Sequence, residues 1–129
     1  MIDTPSDPCV FCQIIDGEAP ATVHKWTPST MIIEPLKPVT PGHVIAMPLV
    51  HVTDAYENPT ITGQVMLEAS LWACIRASHD SRYESANLIT SIGRPATQSV
   101  FHLHIHIVPR AINDGLALPW YSGKGGHQC

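Results

Sequence analysis

The chain has 129 residues, 44% of them hydrophobic, so residues 1–129 are enough for one domain with its own apolar core. Its formal net charge is −4 with only seven Lys and Arg, which argues against nucleic-acid binding because that requires a basic face. No apolar run approaches the roughly 20 residues of a membrane helix, and the N-terminal sequence lacks the features of a signal peptide. We therefore expect a cytoplasmic protein with no membrane or nucleic-acid partner.

The N-terminal part of the chain combines a loose start with a pair of cysteines. Residues 1–8 are polar and contain prolines, which is typical of a loosely ordered terminus. Cys9 and Cys12 follow in a Cys-x-x-Cys spacing, which in a reducing compartment favours a metal or redox site over a disulfide. Three short strands are predicted after this pair, at residues 21–26, 30–34 and 43–48.

One long helix dominates the second half of the predicted structure. Asn58 and Pro59 make a good helix start, because Asn caps the first turn and Pro suits the first helical position. Apolar residues then recur at near-helical spacing and predict a helix over residues 59–80. The remaining segments are predicted as two strands and a loop-like tail, at residues 86–92, 99–108 and 111–129. This order favours an α+β fold, with an antiparallel sheet of about five strands and one principal helix.

Three of the eight histidines alternate with apolar residues in the last predicted strand: His102, His104 and His106. Alternate side chains of a strand share one face, so the three rings are predicted to stand in a row, spaced by roughly 7 Å. A half-exposed strand with a polar face would explain one such histidine, but three in strict alternation favour a functional site. A mononuclear metal site is a second functional interpretation, although parallel side chains on one strand rarely converge on one ion.

The residues around this row resemble the signature of the histidine triad (HIT) family. Residues 98–110 read Gln-Ser-Val-Phe-His-Leu-His-Ile-His-Ile-Val-Pro-Arg, which matches the family pattern of histidines alternating with apolar residues. Residues 38–51 resemble the second block of the family, and residues 9–18 resemble the start of its bacterial, zinc-containing branch, related to Hint and Fhit. The blocks occur in family order over most of the chain.

This resemblance implies an enzyme that acts at the α-phosphate of a nucleotide conjugate, with a purine nucleotide as the expected substrate. In the family the middle histidine attacks the α-phosphorus and forms a nucleotidyl-histidine intermediate, and His104 occupies that position. His106 would donate a hydrogen bond to a phosphate oxygen. Ser99 would lie near the leaving group, with a strand-end hydroxyl bonded to backbone as the alternative. The expected activity is that of a phosphoramidase or dinucleoside polyphosphate hydrolase.

The loop before the triad is expected to contact phosphate. Backbone amides around Gly93 and from Gln98 to Val100 would stabilise charge on the phosphoryl oxygens. Ser91 stands where relatives usually carry a side-chain amide that contacts phosphate or the leaving group. Thr97 replaces a common glycine, which we expect to alter this loop.

The nucleoside is expected to contact residues from the first half of the chain. His43 would lie close to the active centre, with a buried histidine bonded to backbone as the alternative. Pro35 occupies the place where many relatives carry an Asp or Asn for the ribose hydroxyls, and the adjacent Glu34 is a candidate substitute, with a solvated carboxylate as the alternative. Ile14 would line a base pocket or belong to the core. Trp120 is a weaker candidate, because the family's C-terminus often reaches the active site.

The resemblance also implies a structural zinc site, with four ligands at Cys9, Cys12, His51 and His102. Two thiolates and two imidazoles make a closed set that suits Zn²⁺. This assignment separates His102 from direct chemistry. The alternative is a pair of free buried thiols beside a surface His51.

Two further functions remain open from the sequence. A nucleotide-binding zinc module with little turnover would keep the fold but not the activity, and a zinc-stabilised interaction domain would need no ligand. Family members commonly pair through the main helix and an edge strand, so a homodimer with a continuous sheet is expected by analogy.

Overall fold

The computed structural model describes residues 9–124, so the predictions for residues 1–8 and for the last five residues lie outside it. The elements, in chain order, are α1 (Val10–Ile15), β1 (Val23–Trp26), β2 (Thr30–Ile33), β3 (Val44–Pro48), α2 (Pro59–Ala77), β4 (Ala86–Ile89) and β5 (Ile105–Pro109). The predicted α+β fold with one principal helix is confirmed. The short helix α1 was not predicted; it begins directly after Cys9, which caps it.

All five strands form one antiparallel sheet in the order β1-β2-β3-β5-β4. One face packs against α2 through residues such as Ile32, Val44 and Ile107. The opposite face packs against α1 through Met31 and Ile33. Because β2 and β3 are buried on both faces, their sequences are apolar throughout rather than alternating.

Helix α2 has two apolar sides. Its start is as predicted, since the Asn58 side chain accepts a hydrogen bond from the Ile61 N–H at 3.0 Å. One side, made of Val65, Ala69 and Ala73, is buried against the sheet. On the other side Leu67, Leu71 and Ile75 are 64%, 51% and 57% exposed. The helix ends at residue 77 rather than 80, and no helix of residues 9–124 is both long and apolar enough to cross a membrane.

The prediction of a strand over residues 99–108 is confirmed for residues 105–108 and wrong for residues 99–104, because β5 begins only at Ile105. The backbone before it bonds outside the ladder: Leu103 N–H donates to Val52 O at 2.6 Å, and the Thr90 hydroxyl donates to His104 O at 2.8 Å. His102 and His104 are therefore not held to strand geometry. The predicted row of three parallel rings does not form.

The segment after β5 is anchored by Arg110. Its guanidinium donates to the Asp114 carboxylate at 2.7 Å, to Asn87 Oδ1 at 2.7 Å and to Leu116 O at 2.6 Å. These hydrogen bonds connect the first residues of the C-terminal tail to β4. Trp120 lies further along, 61% exposed.

The turn before β3 requires a glycine at position 42. Gly42 has φ +89°, and a Cβ there would meet the Tyr83 hydroxyl at 2.8 Å, the group that donates to the Gly42 carbonyl. We predict that Gly42→Ala destabilises the protein by about 2–4 kcal/mol in urea unfolding, from backbone strain plus overpacking. Gly63→Ala is the control: that position in α2 has open space, so the substitution should stabilise by about 0.5–1 kcal/mol. Equal effects of the two substitutions would contradict this account.

Candidate active site and metal cluster

A pocket of about 860 Å³ lies on the face of the sheet that carries α1. Of the predicted site residues, five line it: Ile14, Glu34, Ser99, His104 and His106. Most of the remaining wall is apolar and includes Phe11, Ile33, Pro35, Leu36 and Ile45. Four other predicted contacts are not among its lining residues: His43, Ser91, Gly93 and Gln98.

His104 has a defined tautomer. Its Nδ1 lies 2.8 Å from the carbonyl oxygen of His102, and a carbonyl can only accept, so Nδ1 carries the proton. The lone pair is therefore on Nε2. Burial lowers the pKa of His104, which keeps the ring neutral near neutral pH. Phe11 packs edge-on against this ring at 5.1 Å and holds it from the α1 side.

His106 and His43 form a hydrogen-bonded relay with an assigned direction. The Val39 N–H donates to His43 Nδ1 at 3.1 Å, so the proton of neutral His43 is on Nε2. That Nε2–H donates to His106 Nδ1 at 2.9 Å, which leaves the proton of His106 on its own Nε2. Burial, and then the neighbouring His104 and His43, lower the pKa of His106 to about 4. A neutral His106 thus remains a hydrogen-bond donor. His43 therefore bonds both to backbone and to a triad histidine.

A second cluster consists of two cysteines and two histidines whose ligand atoms all lie within 4.8 Å of one another: Cys9, Cys12, His51 and His102. His102 Nδ1 lies 3.5 Å from Cys9 Sγ and 3.2 Å from His51 Nδ1, and Cys12 Sγ lies 3.4 Å from His51 Nδ1. Tetrahedral Zn²⁺ with thiolate and imidazole ligands needs edges of about 3.3–3.8 Å. This donor set therefore fits a four-coordinate metal ion.

The ring of His102 is oriented for this cluster by a bond on its far side. His102 is fully buried, and its Nε2 lies 2.9 Å from the carbonyl of Pro48, to which it must donate. Nδ1 is then the unprotonated nitrogen and faces the thiols. The carbonyl of the same residue accepts the hydrogen bond from His104, so His102 contacts both the cluster and the triad.

Gln98 forms hydrogen bonds across the loop before the triad, residues 93–98. Gly93 N–H donates to Gln98 Oε1 at 2.8 Å, and Gln98 N–H donates to Gly93 O at 3.1 Å. The Gln98 amide also donates to Thr53 O at 2.8 Å. The predicted phosphate donors at Gly93 and Gln98 are thus already bonded within the loop, whereas Ser99 and Val100 line the pocket.

Thr97 has a backbone conformation that favours glycine. It adopts the left-handed conformation, with φ 76°, which β-branched residues rarely do. Such a residue is strained by about 1–3 kcal/mol unless its surroundings hold it. The bonds between Gly93 and Gln98 on either side provide that support.

Three functional contacts were not predicted from the sequence. Phe11 lies between the two cysteines and contacts His104, and its aromatic side chain was a usable signal. Thr90, which holds the His104 carbonyl, and the Val39 amide, which sets the tautomer of His43, carry no signal in one sequence.

The chain belongs to the HIT domain family, whose sequence profile matches residues 16–113. An uncharacterized HIT-like protein of Mycobacterium tuberculosis is 32% identical over 86% of this chain and 77% of its own length. A crystal structure of a HIT family protein from Bacillus anthracis superposes with a TM-score of 0.79 at 30% identity, over 90% of this chain and 83% of that chain.

Two relatives have names that state an activity. Adenylylsulfatase HINT3 of Arabidopsis thaliana is 33% identical over 84% of this chain and 55% of its own length. Adenosine 5′-monophosphoramidase hnt1 of Schizosaccharomyces pombe is 26% identical over 88% of this chain and 84% of its own length.

Proposed function

We propose that the protein is a nucleotide hydrolase or nucleotidyl transferase that acts at the α-phosphate of a nucleotide conjugate. The observation that carries this proposal is the hydrogen bond from His104 Nδ1 to the His102 carbonyl, inside a pocket that also holds His106 and Ser99. It makes Nε2 of a neutral imidazole available as a nucleophile. Relatives named as an adenylylsulfatase and a phosphoramidase cleave bonds of this kind.

The chemistry proceeds in two displacements. First, Nε2 of His104 forms a bond to the α-phosphorus while the bond to the leaving group breaks, and the electron pair departs with the leaving nitrogen or oxygen. We assign the proton that this atom takes up to the hydroxyl of Ser99, a residue that lines the pocket. Water or another hydroxyl acceptor then attacks phosphorus and gives its proton to the Ser99 oxygen, the P–N bond breaks, and its electron pair returns to Nε2.

The relay through His43 serves the phosphate oxygens. Because His43 donates to His106 Nδ1, the Nε2–H of His106 is left to bond a non-bridging oxygen. Charge stabilisation here comes from neutral donors, which agrees with the small number of Lys and Arg in the chain. The Ser99 and Val100 backbone lies at the same pocket and would add further donors.

We also propose that the cluster of two cysteines and two histidines holds a structural zinc ion, as in the zinc-containing branch of the family. Thiolate ligands favour zinc over hard cations such as Mg²⁺. When bound, zinc would fix the segment that carries His102 and therefore the acceptor of the His104 hydrogen bond. All chemistry at phosphorus stays with the triad and Ser99.

The exposed side of α2 supports a homodimer. Leu67, Leu71 and Ile75 form an apolar stripe, and β4 is an edge strand of the sheet. Pairing two copies through these features would bury the stripe and extend the sheet.

His104→Ala should lower kcat/KM for adenosine 5′-phosphoramidate at least about a thousandfold, because it removes the nitrogen on which the covalent intermediate is proposed to form. The circular dichroism spectrum should stay that of the wild type. His79→Ala, at an exposed histidine after α2, is the matched control and should retain wild-type turnover. Turnover by His104→Ala comparable to wild type would refute the assignment of the nucleophile.

Protein purified without chelator should contain about one zinc ion per chain. Cys12→Ser should lose the metal and at least about 2 kcal/mol of unfolding free energy, whereas Cys74→Ser, at an exposed cysteine of α2, should keep both. His102→Ala should destabilise more than His106→Ala. A zinc content well below one per chain would contradict the proposal.

Leu71→Glu should shift the protein from dimer to a monomer of 14.1 kDa in sedimentation at micromolar concentration, because it places a charge in the apolar stripe. Trp26→Glu, at a position 58% exposed on β1 at the opposite edge of the sheet, should leave the mass unchanged. A monomeric wild type would rule the dimer out.

A further inference from the structure

We infer that the pocket does not recognise the sugar hydroxyls of its nucleotide, so that ribonucleotide and deoxyribonucleotide substrates are cleaved with similar efficiency. This inference rests on the proposed function and concerns the part of the pocket away from the triad. It follows from the chemistry of the wall around residues 33–36.

The pocket has two chemically different parts. Its triad part carries Ser99, His104 and His106, which suit a phosphate group. Elsewhere the wall is apolar and is formed mainly by Val10, Phe11, Ile14, Pro20, Ile33 and Ile45. Among residues 9–124, only two polar side chains belong to the lining outside the triad part, those of Thr22 and Glu34.

Glu34 belongs to the pocket lining, but its carboxylate is directed towards the α2 face of the sheet. Along β2, Ile32 packs on the α2 face and Ile33 on the opposite face, so the next side chain returns to the α2 face. There Glu34 Oε1 lies 3.5 Å from His24 Nε2. The His24 ring in turn packs against Trp72 of α2 at 6.1 Å.

The backbone N–H of Glu34 is also already hydrogen-bonded. Its N–H donates to the Thr22 carbonyl at 3.0 Å, which occupies both groups. The following residue on the pocket side, Pro35, has no N–H and no polar side-chain atom. Leu36 continues the wall and is 99% exposed. No charged acceptor is therefore directed at a sugar from this strand end.

The Thr22 hydroxyl remains, but it is a neutral group on an exposed residue. A neutral hydrogen bond contributes about 0.5–1.5 kcal/mol net, which is roughly 2- to 12-fold in affinity. Sites built to bond a hydroxyl reject analogues that lack it by factors of about 10⁴–10⁵, whereas apolar pockets discriminate weakly. This pocket is of the second kind.

The test compares kcat/KM for adenosine 5′-phosphoramidate with the values for its 2′-deoxy and 3′-deoxy analogues. We expect each ratio to be below tenfold, and a preference for the ribonucleotide of tenfold or more would overturn the inference. Thr22→Val and Glu34→Gln should leave the ratios unchanged. A loss of ribonucleotide preference in either variant would show that its side chain does read the sugar.

Position 35 offers a matched pair of variants. Pro35→Asn adds a side-chain amide and a backbone N–H to the wall, and it should raise the preference for the ribonucleotide at least fivefold over wild type. Pro35→Ala removes the ring without adding a polar side chain and should keep the wild-type ratio. An unchanged ratio in Pro35→Asn, or the same change in both variants, would contradict the placement of residue 35 beside the sugar.

Binding separates this inference from the proposed function. If none of the phosphoramidates is cleaved, the proposed function fails. The inference is then judged by calorimetry with AMP and 2′-deoxy-AMP on the zinc-loaded His104→Ala protein. Dissociation constants within tenfold of each other would support it, whereas a larger difference, or no binding of either nucleotide, would overturn it.

Discussion

The site depends on the placement of a single residue, His102. Its ring is fully buried and bonded through Nε2 to the Pro48 carbonyl, so Nδ1 lies among the thiols and His51. Its carbonyl accepts the Nδ1 proton of His104 and thereby fixes which nitrogen can attack. A rotation of this peptide would disturb both sets of contacts at once. The side chain of His102 belongs to the cluster and its carbonyl holds the nucleophile, so the two sites are coupled within a single residue.

Neutral histidines make the second constraint on the site. Burial lowers the pKa of His43, His104 and His106, so the neutral form of each ring is favoured near neutral pH. Neutral rings are sensitive to tautomer, because each has one donor and one acceptor. The Val39 amide and the His102 carbonyl, both backbone groups, set these tautomers. Backbone groups do not titrate, which keeps the arrangement constant over a wide range of pH.

The fold could be predicted from local sequence patterns because its signals are short in range. Asn58-Pro59 marked the start of α2, and apolar runs marked β2 and β3. The metal-ligand set was identified by resemblance, and its four residues do meet. The strand through residues 99–104 was wrong because alternation records only which residues are polar. The bonds that interrupt it come from Val52 and Thr90, which are distant in sequence.

The direction of the side chains at the pocket could not be predicted from the sequence either. Glu34 was a reasonable candidate for the ribose by position, but its partner His24 lies on another strand, and only the pairing of β1 with β2 brings the two together. The exposed stripe of α2 gave the same helical spacing as its buried side, so the sequence could not tell which residues face the sheet.

The span of the metal cluster has a consequence for biosynthesis. Cys9 and His102 are 93 positions apart, so their contact closes nearly the whole domain and belongs to the slowest class of contacts in folding. On the ribosome the two cysteines emerge first and wait for most of the chain to be made. During that interval they form an incomplete chelate with exposed thiols. Protection of these thiols from oxidation then depends on the speed of translation.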